Sequence, residues 1–321
     1  MGIKMNKAKN IFKNASGELS ALIMLIILWV IFAFGSKYFL TFRNIMNIGS
    51  YMSIMGTMAA GLTVAMLLAG LDVSQYSLAA LGGMVLGLCY ETGMNPFLCI
   101  LITLVVGVAG GSFNAFIITV MKVNPIICTM GTSFIFRGFA YLLTNGRYIR
   151  LDNEVFNKLG NGKVLGIPIC LLIMLVTYLV IWYMLKYTRF GRSVFAVGGN
   201  MQVAKLAGIN TNSIRFRCHI LAGVTAVMGG VITVTQASSC MPSQGYGNDM
   251  NGISAVILGG ISMAGGRGNV WGTLIGVAIL STLVNGMTLI GLQAYWQQVV
   301  QGLVLVIAVF IDAMRTAKKN K

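Results

Sequence analysis

Apolar residues run through this chain in long stretches, and short gaps between them hold most of its charges, prolines and asparagines. An α-helix rises 1.5 Å per residue, so about 20 apolar residues, within a range of roughly 17 to 25, cross the hydrocarbon core of a bilayer. Cutting the sequence at charges, Pro, Asn and Gly-rich turns gives ten segments: 19–35, 48–70, 77–90, 96–121, 125–144, 167–185, 214–235, 253–264, 270–290 and 295–311. The third and eighth are short. The pattern predicts an all-α integral membrane protein of about ten transmembrane helices. A single membrane domain over residues 19–313 lies between a tail at 1–18 and a basic tail at 314–321. Composition excludes the soluble alternative, because 57% of the 321 residues are hydrophobic, 9% are charged and mean hydropathy is +0.83. Soluble domains carry about 25% charged residues and could not hide so much apolar surface.

A net charge of +16 would suggest a nucleic-acid partner in a soluble protein, but here the basic residues lie at the two ends and between apolar runs. They report orientation in the membrane instead. With the N-terminus inside, 16 of the 23 Lys and Arg residues fall in the cytoplasm: Lys4, Lys7, Lys9, Lys13, Lys122, Lys186, Arg189, Arg192, Lys205, Arg215, Arg217, Arg267, Arg315, Lys318, Lys319 and Lys321. Lys37, Arg43, Arg147, Arg150, Lys158 and Lys163 fall outside, offset in part by Asp152 and Glu154, while Arg137 stays inside a span. This asymmetry predicts an even number of spans with both termini cytoplasmic. The basic start before the first apolar run has the form of a signal peptide, but the spans that follow favour an uncleaved first helix. The six cysteines lie in or beside apolar runs without a paired C-x-x-C, and His219 is the one histidine, so neither disulfides nor a metal site is expected.

Small residues supply the expected contacts between spans. Gly83/Gly87, Gly107/Gly111 and Gly272/Gly276 have the G-x-x-x-G spacing that lets helix backbones approach. Ala65, Leu68, Gly70 and Gly82 are echoed 190 residues later by Ala255, Leu258, Gly260 and Gly272, a weak repeat signal in glycine-rich sequence. Two connections are long, the external one at 145–166 and the cytoplasmic one at 186–213. Within the second, residues 201–207 read as a short helix that Asn200 caps at its start and Gly208 ends in the left-handed conformation. A rigid two-turn element of this kind suits docking into a partner's groove.

This cytoplasmic segment, with Gly198, Gly199, Asn200, Ala204, Gly208 and Ile209, resembles the G-G-N-x-E-A-A-x-x-x-G-I pattern of the ribose-type permease family of ABC importers. Gln202 and Val203 stand where the family has Glu and Ala, so a salt bridge from that Glu is not carried over. Further blocks follow in the family's order over nearly the whole chain after the first helix. They are Gly70-Leu71-Asp72-Val73-Ser74, then residues 124–131 with Arg137-Gly138 and Thr144-Asn145-Gly146, then Gly245-Tyr246 to Asp249, residues 255–260, and Asn285-Gly286. The resemblance implies a permease subunit of an ATP-driven monosaccharide importer in the inner membrane, with ribose or a related pentose favoured. It implies a second permease copy, identical or not, an ATPase with two nucleotide-binding halves, and an extracytoplasmic sugar-binding protein. Gly198, Gly199, Asn200, Gln202, Ala204, Lys205, Gly208 and Ile209 would then couple the chain to the ATPase.

No phosphate-binding G-x-x-x-x-G-K-[ST] occurs; residues 160–164 come near it but lack the hydroxyl residue for Mg²⁺. No catalytic set is present either, so the chain is not expected to be an enzyme or to carry a cofactor, with ATP and Mg²⁺ held by the partner. A sugar crossing the membrane needs uncharged polar groups in exchange for water, and Asn47, Asn114, Thr129, Ser133, Gln236 and Asn285 are candidates. The same residue types also serve as hydrogen-bonding glue between spans. Asp72, near the cytoplasmic end of the second span, is expected to cap the third helix through amides near Ser74 and Gln75. Arg137, deep in the fifth span, requires a carbonyl, a carboxylate or water, and Asp249 opens the eighth. His219 is placed at the cytoplasmic interface, and the external charges at a binding-protein docking face. The alternatives are a permease for branched-chain amino acids and an ion-coupled secondary transporter, the latter disfavoured by the scarcity of intramembrane acids.

Overall fold

The computed structural model describes the backbone of residues 2–317 and the side chains of residues 18–310. Lys4, Lys7, Lys9, Lys13, Arg315, Lys318, Lys319 and Lys321 fall outside the described side chains. The chain runs α1 (Gly2–Gly35), α2 (Phe42–Met66), α3 (Gln75–Glu91), α4 (Pro96–Thr119), α5 (Pro125–Leu142), β1 (Ile149–Arg150), α6 (Glu154–Asn161), β2 (Lys163–Val164) and β3 (Ile167–Pro168). It continues through α7 (Ile169–Tyr187), α8 (Arg189–Gly199), α9 (Met201–Leu206), α10 (Thr211–Ala237), β4 (Ser239–Cys240), α11 (Asp249–Leu258), α12 (Val270–Leu289) and α13 (Ala294–Ala317). Each of the ten apolar segments falls on a helix. Among the described residues, six of these helices, α1, α2, α4, α7, α10 and α12, are long and apolar enough by length and composition to cross a membrane.

The polar gaps start the helices as capping chemistry requires. Asn95 and Asn124 each accept a hydrogen bond from an amide two residues on, and each is followed by proline at the first helical position, where the missing N–H costs nothing. Two ends depart from the apolar pattern. The second segment is apolar to residue 70, yet α2 stops at Met66; Ala69 turns left-handed, with Ala69 N donating to Met66 O and Gly70 N to Ala65 O. The eighth extends to residue 264, yet α11 stops at Leu258, where Gly260 turns left-handed and Ile261 N donates to Val256 O. Both are Schellman closures, in which the left-handed residue ends the helix although the sequence beyond it stays apolar. The two closures stand 191 residues apart, one residue out of step with the sequence echo.

α2, α10 and α12 form the centre, with 78%, 72% and 67% of their spans buried, against 11% for α1 and 28% for α4. The outer pair keep apolar surface outward, as expected of helices that face lipid. Glycine sets the closest approaches. A Cβ on Gly223 of α10 would lie 2.3 Å from the Gly107 carbonyl oxygen of α4, and one on Gly276 of α12 would lie 1.9 Å from the Ala255 oxygen of α11. Gly83 and Gly87 instead meet the side chains of Val234 and Cys240. All six cysteines are free.

The connection between α5 and α7 is ordered around α6. β1 pairs antiparallel with β4 (Ile149 opposite Cys240), and β2 with β3 (Val164 opposite Ile167). Gly160 of α6 rests on the backbone of Thr235 and Gln236 at the end of α10.

Candidate functional site

Two features combine concavity or exposure with chemistry: a cavity among the central helices, and the surface of α8 and α9. The cavity, about 640 Å³ with its mouth included, lies between α2 (Tyr51, Ile54, Met55, Met58), α3 (Tyr76, Ala79, Ala80), α10 (Gly230, Thr233), the chain entering α11 (Gln244, Gly245, Asn248) and the first turn of α11 (Asn251). Its lining contains two tyrosines, one threonine and three amides, and no charged side chain. The wall ahead of α11 is held by Arg137 of α5. Arg137 Nη1 donates to the carbonyl oxygens of Pro242 and Gln244, both at 2.7 Å, and its guanidinium lies 5.9 Å from the centre of the Tyr246 ring. Buried as it is, Arg137 meets carbonyls rather than a carboxylate, which satisfies the need for a partner inferred from its position.

The six polar residues proposed from sequence lie outside the cavity lining. Asn285 of α12 and Asn44 of α2 exchange reciprocal amide hydrogen bonds of 3.0 Å, and Asn44 also donates to Phe39 O. Gln236 donates to Ser50 O, Ser53 Oγ and Cys170 Sγ, tying α10 to α2 and α7. Ser133 bonds Ser77 across α5 and α3, and Asn47 is exposed on α2. Asn114 and Thr129 join a buried network around residues 70–74. Asp72 Oδ1 accepts from Ser74 N and Ser74 Oγ, Asn114 Nδ2 donates to Ser74 Oγ, and Thr129 Oγ1 accepts from Val73 N. The backbone here is thereby satisfied by Asp72 itself and by Thr129 of α5, while Asn114 of α4 holds the Ser74 hydroxyl, the condition under which non-helical chain is tolerated away from water. Asp72 is thus buried between helices, and His219, expected at the interface, is buried on α10 facing Gly70. Asp249 is half-buried in the first turn of α11, where the helix dipole favours a carboxylate.

The Asn44–Asn285 pair gives a direct test of its structural role. Asn285→Leu is expected to destabilise the full chain by about 1–2 kcal/mol, because buried Asn44 loses its partner. The double change Asn44→Leu with Asn285→Leu is expected to cost less than the sum of the two singles, as read by thermal unfolding in detergent.

α8 and α9 form the second feature. Asn200 Oδ1 accepts from Gln202 N at 3.0 Å and Val203 N at 3.1 Å. At the other end, Gly208 is left-handed, Gly208 N donates to Lys205 O, and Ile209 N donates to Ala204 O. Ala204 is buried and anchors α9 to the core, while Gln202 and Lys205 are exposed. The exposed face is also apolar: Val203 is 60% and Leu206 89% exposed. Sequence reading singled out Gln202 and Lys205 and passed over Leu206, although a leucine on a polar loop was the available signal. It also missed Tyr51, Tyr76, Thr233 and Asn251, because nothing local marks which face of an all-apolar helix turns inward.

On the α6 side of the molecule, Glu91 accepts a bidentate hydrogen bond from Arg147, which holds the guanidinium above its ordinary pKa, and Lys158 holds the Glu154 carboxyl below the usual carboxylate range. Both pairs are exposed and contribute little to stability.

Comparison with known proteins gives three findings. The family profile described as branched-chain amino acid transport system / permease component matches residues 44–309. The chain is 36% identical over 299 residues to the ribose import permease protein RbsC of Escherichia coli (strain K12), covering 92% of this chain and 93% of that one, and 34% identical to RbsC of Bacillus subtilis (strain 168), covering 95% and 96%. A solved ABC transporter described as of metal-chelate type, in an inward-facing conformation, shares the fold with TM-score 0.52 at 14% identity, over 95% of this chain and 99% of that chain.

Proposed function

The chain belongs to the ribose-type permease family of ABC importers, and from that premise we propose that it forms the membrane pathway for a monosaccharide, ribose or a related pentose. The sugar is delivered by an extracytoplasmic binding protein, and ATP and Mg²⁺ are bound by a partner ATPase with two nucleotide-binding halves. Two permease copies, identical or not, complete the channel in the inner membrane. The reading takes all ten apolar helices as spans with both termini cytoplasmic, so that α8 and α9 face the ATPase and α6 with its hairpin faces the binding protein. It favours α3 and α11 as spans despite their 17 and 10 residues, because α3 follows a largely buried connection at 70–74 and α11 leads into a buried to half-buried one at 259–263.

The neutral lining of the cavity carries the choice of substrate class. A sugar presents hydroxyls and C–H faces without net charge, which suit amides, hydroxyls and tyrosine rings. A branched-chain amino acid is a zwitterion and would need partners for its two charges, and ion coupling would need an acid in the pathway. The lining offers neither. Asn114, Thr129, Ser133, Gln236 and Asn285 then act as glue between helices, and Tyr51, Tyr76, Thr233, Asn248 and Asn251 line the pathway.

The test is uptake of labelled ribose, xylose, galactose and leucine into proteoliposomes that hold this chain with its ATPase and binding protein, with and without internal ATP. Sugar accumulation that requires ATP and both partners is expected, reduced about tenfold in Asn251→Leu through loss of a polar contact in the cavity. Leucine uptake, or uptake driven by an ion gradient without partners, would overturn the reading.

A further inference from the structure

Three backbone segments far apart in sequence meet at the inner end of α8. Gly266 N donates to Leu67 O at 2.7 Å, joining the chain after α11 to the end of α2. Gly198, at the end of α8, closes over that bond: a Cβ there would lie 1.9 Å from Leu67 O and 2.8 Å from Gly266 N. Gly265 and Gly266 are both left-handed, and their added Cβ atoms would lie 2.9 Å from Ala69 N and 2.7 Å from Gly199 Cα. These are contacts between backbones, which cannot give way as side chains can.

Each of the two segments that meet Gly198 leads to a wall of the cavity. From Leu67 the chain turns at Ala69 and runs extended to α3, whose first turn places Tyr76 in the lining. That stretch is stiffened by the Asp72, Ser74, Asn114 and Thr129 hydrogen bonds. From Gly266 the chain leads back through Gly260 to α11, whose first turn places Asn251 in the lining. α11 is itself locked to α12, since a Cβ on Gly259 would lie 2.3 Å from Gly272 O.

We propose that Gly198, Leu67 and Gly265–Gly266 form a rigid joint through which movement of α8 and α9 reaches the Tyr76 and Asn251 walls of the cavity together. The joint moves as one body: its three backbones keep their contacts while the helices beyond them tilt. The inference rests on α8 and α9 being the surface that the ATPase moves.

Gly302, inside α13, provides the matched control for Gly198, because a Cβ there meets nothing within 4 Å. In the reconstituted importer, Gly198→Ala is expected to lower ATP-dependent ribose uptake about tenfold or more while the ATPase stays bound, and Gly302→Ala to leave uptake unchanged. Equal uptake by the two variants would overturn the proposal. A second measurement decides the matter if Gly198→Ala does not fold. Ala69 and Gly199 are both exposed and flank Gly265–Gly266, so cysteines at these two positions can be joined by a short cleavable linker. A joint that moves as one body keeps uptake, when linked, within about twofold of the same double-cysteine variant before linking. Uptake that is lost on linking and returns on cleavage would show that the segments slide past one another and would overturn the proposal. Failure of the unmodified chain to hold an ATPase would count against the function itself, and is read separately by co-purification.

Discussion

Replacing Arg137 with methionine is expected to lower sugar uptake about 100-fold while leaving the ATPase bound, because it releases the wall of the cavity that precedes α11. A hydrogen bond to a charged group contributes about 1.5–3 kcal/mol, and Arg137 makes two, to Pro242 O and Gln244 O. Methionine fills similar volume without a donor, so the two carbonyls are left to find water and Tyr246 loses the cation beside its ring. Gln244, Gly245 and Asn248 then no longer hold their places in the lining. Lysine keeps the charge but not the planar fork that reaches two carbonyls at once, so Arg137→Lys is expected to fall between the two. Uptake in proteoliposomes and protease cleavage between residues 241 and 248 measure the effect. Full uptake with an unprotected loop would show that the wall takes no part in passage.

Leu206→Asp is expected to separate the permease from its ATPase. Leu206 is the most exposed apolar residue of α9, and full burial of a leucine side chain contributes about 1.5–3 kcal/mol. Aspartate forfeits that burial and adds a charge to be desolvated, so affinity is expected to fall by about 100-fold or more. α9 itself should persist, since its caps at Asn200 and Gly208 are untouched. Gln202→Glu, on the same helix, is expected to leave binding within about threefold, because an exposed charge contributes little. Co-purification of the two subunits in detergent distinguishes these outcomes, and retention of the ATPase by Leu206→Asp would place its docking surface elsewhere.

Much of this molecule is decided by interactions among near neighbours in the chain, and those were legible in the sequence. Apolar runs of bilayer length give the helices. Asn95-Pro96 and Asn124-Pro125 start two of them, because an asparagine cap and a helical proline need only the next few amides. The same locality made α9 legible from Asn200 and Gly208, down to the residues that cap it. Asp72 bonds the amide of Ser74, the residue before α3, within the local reach expected of a cap, but its burial between helices is not legible in the sequence, since an apolar run carries no record of where the chain turns back inward.

The cavity and the joint were decided only by the tertiary structure. Asn44 and Asn285 find each other across 241 residues, Arg137 reaches carbonyls more than 100 residues away, and Leu67, Gly198 and Gly266 converge on one hydrogen bond. In a soluble helix the polar face points to water and betrays its orientation. In helices apolar on every side, lipid and core solvate side chains alike, so the inward face is set by backbone approach at glycine and by polar groups pairing across helices. Those are contacts between distant parts of the chain, and only the folded chain brings them together.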